Sequence, residues 1–472
     1  MDTVEKENMD PLRRESLSIP TVRSPYEGRL SGGQQFAISA YWFATNFLWG
    51  ALLVIMLPAE VKTLFPEYRV PALGYLIAFG AVAAIFVPLI VGAMSDRCVS
   101  RYGRRRPYIV AGVLINLVGL AAMCAAVTVL PVVHGDRSDS TGKIAATLFT
   151  SPTFLLLLVA YLIAQFGNNI ASAAYSGVIP DVVPEDQRGT ASGWMALMSQ
   201  LGTLFGAVGC GILLGRAPET FKYIVLCIVL AGVGAITVFG IKENPLPAKP
   251  EPISWSLYFK SLWINPREYP DFAWVWITRA FVMLGFYAVL PFINYYLMDV
   301  VNIPEAKVGD MAGKLIAVIL LTSSISGIYG GAISDRIGRK KVVYIANTMI
   351  AVVTAVFVFC SSFWQVVALG TLFGFGFGAY TSVDWALGTD VLPSKKDAAK
   401  EMAVWHVAMT LPQSIAPPIA GFIIALFGFT TVTRPDETIY HYTHTGYGVT
   451  FAMCALLFGM GAFFLKNVRG VR

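Results

Sequence analysis

Twelve apolar blocks, arranged as two sets of six, constrain this chain more than any other feature. They cover roughly 35–58, 71–94, 108–130, 153–180, 190–214 and 221–241, then 272–298, 311–333, 342–362, 365–391, 402–427 and 446–465. At about 1.5 Å of rise per residue, each is long enough as a helix to cross the ~30 Å hydrocarbon core of a bilayer. Of the 472 residues, 56% are hydrophobic and 14% charged, against about 25% charged in ordinary soluble domains. A water-soluble surface of this size cannot be built from so little charge. The expectation is an all-α integral membrane protein of 12 transmembrane helices.

The charges that do exist orient the chain. Most of the 35 Lys and Arg fall in the two tails and in the loops that follow even-numbered helices, so the positive-inside rule puts both termini in the cytoplasm of a multi-pass plasma-membrane protein. The net charge of +6 lies in short clusters between apolar blocks, which argues for membrane orientation and against nucleic acid as a partner. Residues 1–34 are polar, with Pro11, Pro20 and Pro25, and contain no apolar signal-peptide core; they read as a disordered cytoplasmic tail. Two bundles, 35–241 and 272–466, flank a linker at 242–271, and 467–472 form a short tail. In the linker, Trp255, Tyr258, Phe259, Leu262 and Trp263 have the spacing of an amphipathic interfacial helix. Six widely spaced cysteines, five of them in apolar blocks, suggest neither disulfides nor a zinc site. His441-Tyr-Thr-His444 lacks the Cys or acid cluster of a metal site, so no metal or cofactor is expected.

An internal repeat carries the architecture. Gly92-Ala-Met-Ser-Asp96-Arg97 recurs 239 residues later as Gly331-Ala-Ile-Ser-Asp335-Arg336, and at the same offset Glu60-Val61 matches Asp299-Val300 and Gly74 matches Gly313. Asp181-Val-Val-Pro184 likewise resembles Asp390-Val-Leu-Pro393. Two pseudo-symmetric six-helix bundles follow, related by an axis along the membrane normal. The second loop copy, Gly331-xxx-Asp335-Arg336-x-Gly338-Arg339-Lys340, resembles the signature loop of the major facilitator superfamily. The first, with Gly103, Arg104 and the run Arg104-Arg105-Arg106-Pro107, is similar to plant sucrose transporters and their animal relatives, within the glycoside, pentoside and hexuronide cation symporters. The resemblance implies the major facilitator fold and sugar carried with a proton. It also implies a conformational latch at Gly92, Asp96, Arg97, Gly103, Arg104, Gly331, Asp335, Arg336, Gly338 and Arg339, in which glycines permit close helix approach. Asp96 and Asp335 are expected to pair with charges at neighbouring helix ends, Arg188 being the N-half candidate. The chain departs from the family's charge pattern, since its fourth helix has no mid-membrane acid and its fifth no arginine.

Ionisable residues inside a membrane are costly and mark functional candidates. Arg279 in the seventh helix and Asp384 in the tenth lie at similar depth, and His406 in the eleventh joins that level. One reading is a proton-coupling cluster, in which Asp384 gains and loses a proton as its surroundings change; the other is a permanent ion pair that fixes packing. Substrate-binding candidates are Trp42 and Asn46 in the first helix, and Gln165, Asn168 and Asn169 in the fourth. Tyr287 and Asn294 in the seventh and Gln413 in the eleventh complete the set. Amides both donate and accept, as sugar hydroxyls require, and aromatic faces pack on apolar ring surfaces. Amides also glue helices together. Gly374-Phe-Gly376-Phe-Gly378 reads as a close-packing surface. The expected function is proton-coupled symport of a sugar or glycoside by a monomer that is not an enzyme. Its alternative is export or facilitated passage of another small polar solute, and a non-transporting scaffold or sensor is a remote third.

Overall fold

The computed structural model describes residues 29–136, 139–184, 187–246, 253–256, 263–392, 398–433 and 438–469. Within its helices the side chains of Arg188 and Asp335, among others, are not described. Among the described residues, twelve helices are long and apolar enough to cross a membrane: α1 Gly32–Leu64, α2 Arg69–Asp96, α3 Arg106–Val129, α4 Pro152–Ser176, α5 Gly193–Leu213, α6 Glu219–Gly240, α7 Pro270–Asp299, α8 Glu305–Ser334, α9 Arg339–Phe359, α10 Phe363–Gly388, α11 Val404–Leu426 and α12 His444–Asn467. An even number of spans returns both chain ends to one face, called here the terminal face; the other is the distal face.

The helices begin where the local chemistry allows. At α1, Gln34 donates its backbone N–H to the Ser31 hydroxyl, while the Gln34 side chain accepts the Ser31 N–H at 2.8 Å. This capping box starts the helix three residues ahead of the expected boundary. Ser362 and Gln365 repeat the device at α10. A π turn at Leu52–Met56 interrupts α1 near its distal third. Large apolar side chains such as Phe239, Ile328 and Leu456 stay exposed around the outside, the surface a lipid-facing bundle presents.

Each half packs through small residues. Gly112 and Gly119 of α3 lie against the backbone of α4, and Gly167 of α4 against that of α3. Gly202 and Gly206 of α5 receive the backbone of α1 at Phe43 and Phe47. In the second half Gly374 and Gly378 meet α8 at Ile319 and Ser323, while Gly376 meets α9 at Met349 and Ile350. The glycine run of α10 is therefore a packing surface, as expected.

Two distal elements do not follow from the apolar blocks: a short helix, Thr141–Thr150, before α4, and an antiparallel hairpin, β1 Phe429–Thr433 with β2 Thr438–Tyr442, between α11 and α12. Residues 1–28 and 257–262 lie outside the described residues, and with them most of the expected tail and of the amphipathic linker helix.

The halves meet chiefly toward the distal face. Gly74 of α2 faces the Pro417-Pro418 backbone of α11, and Gly211 of α5 faces Gly309 of α8. Asn294 Nδ2 donates to the Val54 carbonyl at 2.5 Å, and the Tyr295 hydroxyl donates to the Pro58 carbonyl at 2.7 Å. Lys62 Nζ reaches Glu305 at 2.5 Å, and the Tyr442 hydroxyl donates to the Glu67 carbonyl at 3.1 Å. The deepest of these cross-half bonds joins Gln200 to Ser324 at 3.2 Å, near mid-depth.

Candidate functional site

Within the second half, α7 and α10 bring Arg279 and Asp384 into a direct ion pair, Nη1 to Oδ2, with both residues 3% exposed or less. A guanidinium so far from water needs more than one partner. Its central carbon lies 4.9 Å from the Trp405 ring centroid and 5.8 Å from that of Trp385, at cation–π range. Trp276 fixes α7 to α11 by donating its indole N–H to the Val404 carbonyl at 2.9 Å. Three buried groups around the pair, Arg279 Nε, the Tyr380 hydroxyl and Trp405 Nε1, make no hydrogen bond.

His406 lies within electrostatic reach of Arg279 but is not bonded into the pair. No hydrogen bond or ion pair links it to either charge, and it is exposed while Trp405 beside it is fully buried. On a helix of 3.6 residues per turn it stands roughly opposite the exposed Ile415, Ile419 and Phe422, so it faces the space between the halves. Gln413, two turns on, shares that face.

The polar residues of the first half form a column of short, separate hydrogen-bonded groups. Asn168 accepts from the Thr45 hydroxyl at 2.7 Å, Asn169 Nδ2 donates to the Gln165 carbonyl at 2.8 Å, and Gln165 Nε2 donates to the Tyr161 hydroxyl at 2.9 Å. Asn46 donates to the Trp42 carbonyl at 2.8 Å, and Trp42 packs against Tyr175 at 5.7 Å between centroids. Trp42, Asn46 and Tyr287 are half-buried and Gln165, Asn168 and Asn169 buried. Asn294 stands apart from the others, its amide bound across the distal seam.

The loops of the terminal face are clasped. Gly103 and Gly338 have φ of 97° and 101°, a conformation open to glycine, and each turns its loop so that the next arginine meets the aspartate of the repeated Asp-Val motif. Arg104 Nε donates to Asp181 at 3.0 Å, and Arg339 reaches Asp390 at 2.5 Å and the Ala386 carbonyl at 2.8 Å. Arg105 pairs with Asp96 and, at 2.8 Å, with Asp181, donates to the Ser95 hydroxyl at 2.6 Å, and donates its backbone N–H to Glu243 Oε2 at 2.9 Å. Burial opposes the charge of Arg105, but Asp96 and Asp181 outweigh it and hold the guanidinium more firmly protonated than an ordinary arginine. Asp96 thus has Arg105 as a partner; the side chains of Arg188, the expected partner, and of Asp335 lie outside the described residues. The side chains of Arg97 and Arg336 make no hydrogen bond or ion pair among the described residues. Nothing approaches within 4 Å of where a Cβ on Gly92 would sit, while at Gly331 the Ser382 hydroxyl comes to 3.1 Å. Close helix approach therefore does not explain Gly92.

A second buried arginine pair went unnoticed in the sequence. Arg69, at the start of α2, meets Asp299, at the end of α7, across the seam at 2.5 Å, with exposures of 5% and 2%. The Tyr447 hydroxyl donates to Asp299 at 2.7 Å, and His441 Nδ1 lies 3.0 Å from it. His441 thus sits against this carboxylate. The signal available was the repeat: Asp299 is the mate of Glu60, itself 1% exposed, and two acids at matching helix ends call for partners.

Twelve apolar spans, two clasped loops related by a repeat and a buried charge pair between α7 and α10 define a multi-pass membrane protein built as two related halves. The family model described as Major Facilitator Superfamily matches residues 43–312 and 275–471, and the chain belongs to that superfamily. It is similar to the "Sucrose transport protein SUC4" of Arabidopsis thaliana, 26% identical over 207 residues, or 42% of this chain and 37% of the relative. The "Efflux pump azaK" of Aspergillus niger is 26% identical over 188 residues, 38% of each chain. These matches span less than two-fifths of the relatives' length. Among solved structures, a bacterial homologue of the human lysosomal transporter Spinster aligns with a TM-score of 0.66 at 13% identity over 93% of this chain and 98% of that one, which shows the shared fold.

Proposed function

We propose that this transporter carries a sugar or glycoside, sucrose-like disaccharides included, together with a proton by alternating access. The observation that carries the reading is the buried Arg279–Asp384 pair. A proton taken up by Asp384 removes the charge that holds Arg279, and the freed guanidinium can turn its donors to a sugar oxygen. The column Gln165, Asn168 and Asn169 with Trp42 and Asn46 forms one wall of the substrate site, and Tyr287 and Gln413 the other. The clasped loops act as the latch, from Gly92, Asp96, Arg97, Gly103 and Arg104 to Gly331, Asp335, Arg336, Gly338 and Arg339, with Arg188 beside them. The terminal face is cytoplasmic in a plasma membrane, and the monomer is the working unit. Similarity to an efflux pump favours a second reading, export or facilitated passage of another small polar solute. Proteoliposome uptake of labelled sucrose, maltose and glucose, with and without a proton gradient, separates the two. The proposal predicts gradient-driven accumulation of at least one sugar that Asp384→Asn abolishes while counterflow survives. Absence of gradient-driven uptake of all three overturns it.

A further inference from the structure

Glu60 and Asp299 occupy matching positions in the two halves, near the distal ends of α1 and α7. Each carboxylate receives a tyrosine hydroxyl from the last helix of its own half: Tyr223 to Glu60 at 2.9 Å and Tyr447 to Asp299 at 2.7 Å. There the likeness stops. Asp299 has Arg69 at 2.5 Å and His441 at 3.0 Å. Glu60 has no cation in ion-pair range among the described residues, and its Oε1, with the residue 1% exposed, makes no hydrogen bond. The nearby cation, Lys222 on α6, is bound to Glu219 at 2.6 Å. The remaining groups facing Glu60 are the uncharged Tyr223 and the buried thiol of Cys210 on α5. On its own helix Lys62 is committed to Glu305, and the adjoining Arg69 and Asp299 to each other. A carboxylate buried with one neutral donor is poorly solvated when ionised and well accommodated when it carries a proton.

The segment that bears Glu60 is also the one the other half grips. Val54, Pro58 and Lys62, four residues apart, form one stripe and meet Asn294, Tyr295 and Glu305. Glu60, two residues from Pro58, points some 200° away into its own half. When the halves part at the distal face all three grips are lost, and the segment is free to admit water beside Glu60.

We propose that Glu60 is a second proton-binding site, protonated while the distal seam is closed and deprotonated when the Val54–Lys62 segment is released. In the release step the O–H bond at Oε1 breaks, the proton passes to water at the distal face, and the carboxylate remains beside the Lys222 ammonium. The inference rests on the alternating-access reading, but its test needs no transport. Infrared spectra of the full chain in nanodiscs report protonated carboxyls directly. At neutral pH the wild type should show a protonated-carboxyl band that Glu60→Gln removes and Tyr223→Phe shifts in frequency. Cutting the grip with Asn294→Ala plus Tyr295→Phe should roughly halve that band by shifting the closed population. The Tyr223 variant keeps the assignment open to test should Glu60→Gln fail to fold. A band that neither Glu60→Gln nor Tyr223→Phe alters overturns the site, and one indifferent to cutting the grip overturns its link to the seam.

Discussion

Two arginine–aspartate pairs are buried in this molecule to nearly the same extent, and they differ in what they tie together. Arg279 and Asp384 belong to one half, on α7 and α10, walled by Trp385 and Trp405. Arg69 and Asp299 belong to different halves and meet only where the distal face is shut. If the halves rock as bodies, the first pair travels intact and separates only when its own charges change. The second must break in every cycle. Burial alone does not tell a gate from a coupling centre; the pair's relation to the seam does.

The sharpest way to break this comparison is to orphan one charge of each pair. Asp384→Ala leaves Arg279 buried without its anion and should cost about 3–5 kcal/mol, read as a lower melting temperature of the purified protein. Arg279→Met with Asp384→Leu should recover most of the loss, because neither charge is then stranded. Arg69→Gln should act differently. Its partner can reach water by opening the seam, so the expected effect is a population shift of about tenfold, near 1.4 kcal/mol. Faster alkylation of a cysteine placed at Ile293 in a cysteine-free background would report it. Equal melting losses with no change in alkylation would erase the distinction. The smallest effect concerns the terminal-face clasp. Burial pushes the Glu243 carboxyl up, against the pull of the Arg105 N–H and guanidinium. An acid whose folded value is raised contributes stability that is full below its unfolded value and lost as pH rises through the folded one. Melting temperature should therefore decline from mildly acidic toward neutral pH, and Glu243→Gln should flatten that slope.

The fold was legible because lipid imposes a length and a composition on every span, and because the repeat at Gly92 and Gly331 reports two related halves. The Arg279–Asp384 pair was legible for a similar reason: a charge inside an apolar block stands out, and equal depth suggests a partner. Arg69 and Asp299 sit at block edges, where a charge reads as part of a loop, and 230 residues separate them. Only the packing of α2 and α7 at the seam reveals that both are buried. The same blindness affected Glu60, which shares its helix end with the exposed Thr63. His406 shares the depth of the pair and lies within reach of the Arg279 charge, but equal depth alone does not tell a bonded partner from an unbonded neighbour. Arg105 was not legible as a partner of Asp96 because it lies in an arginine run whose members look alike until the Gly103 turn aims them.

Double electron–electron resonance on a cysteine-free background tests alternating access most directly. One label pair, at Thr63 and Ala306, spans the distal face, and another, at Arg101 and Lys341, spans the terminal face. As pH and sugar are varied, the account predicts opposite changes: the distal distance grows while the terminal distance shrinks. Distances that stay fixed at both faces, or that lengthen together, would contradict it.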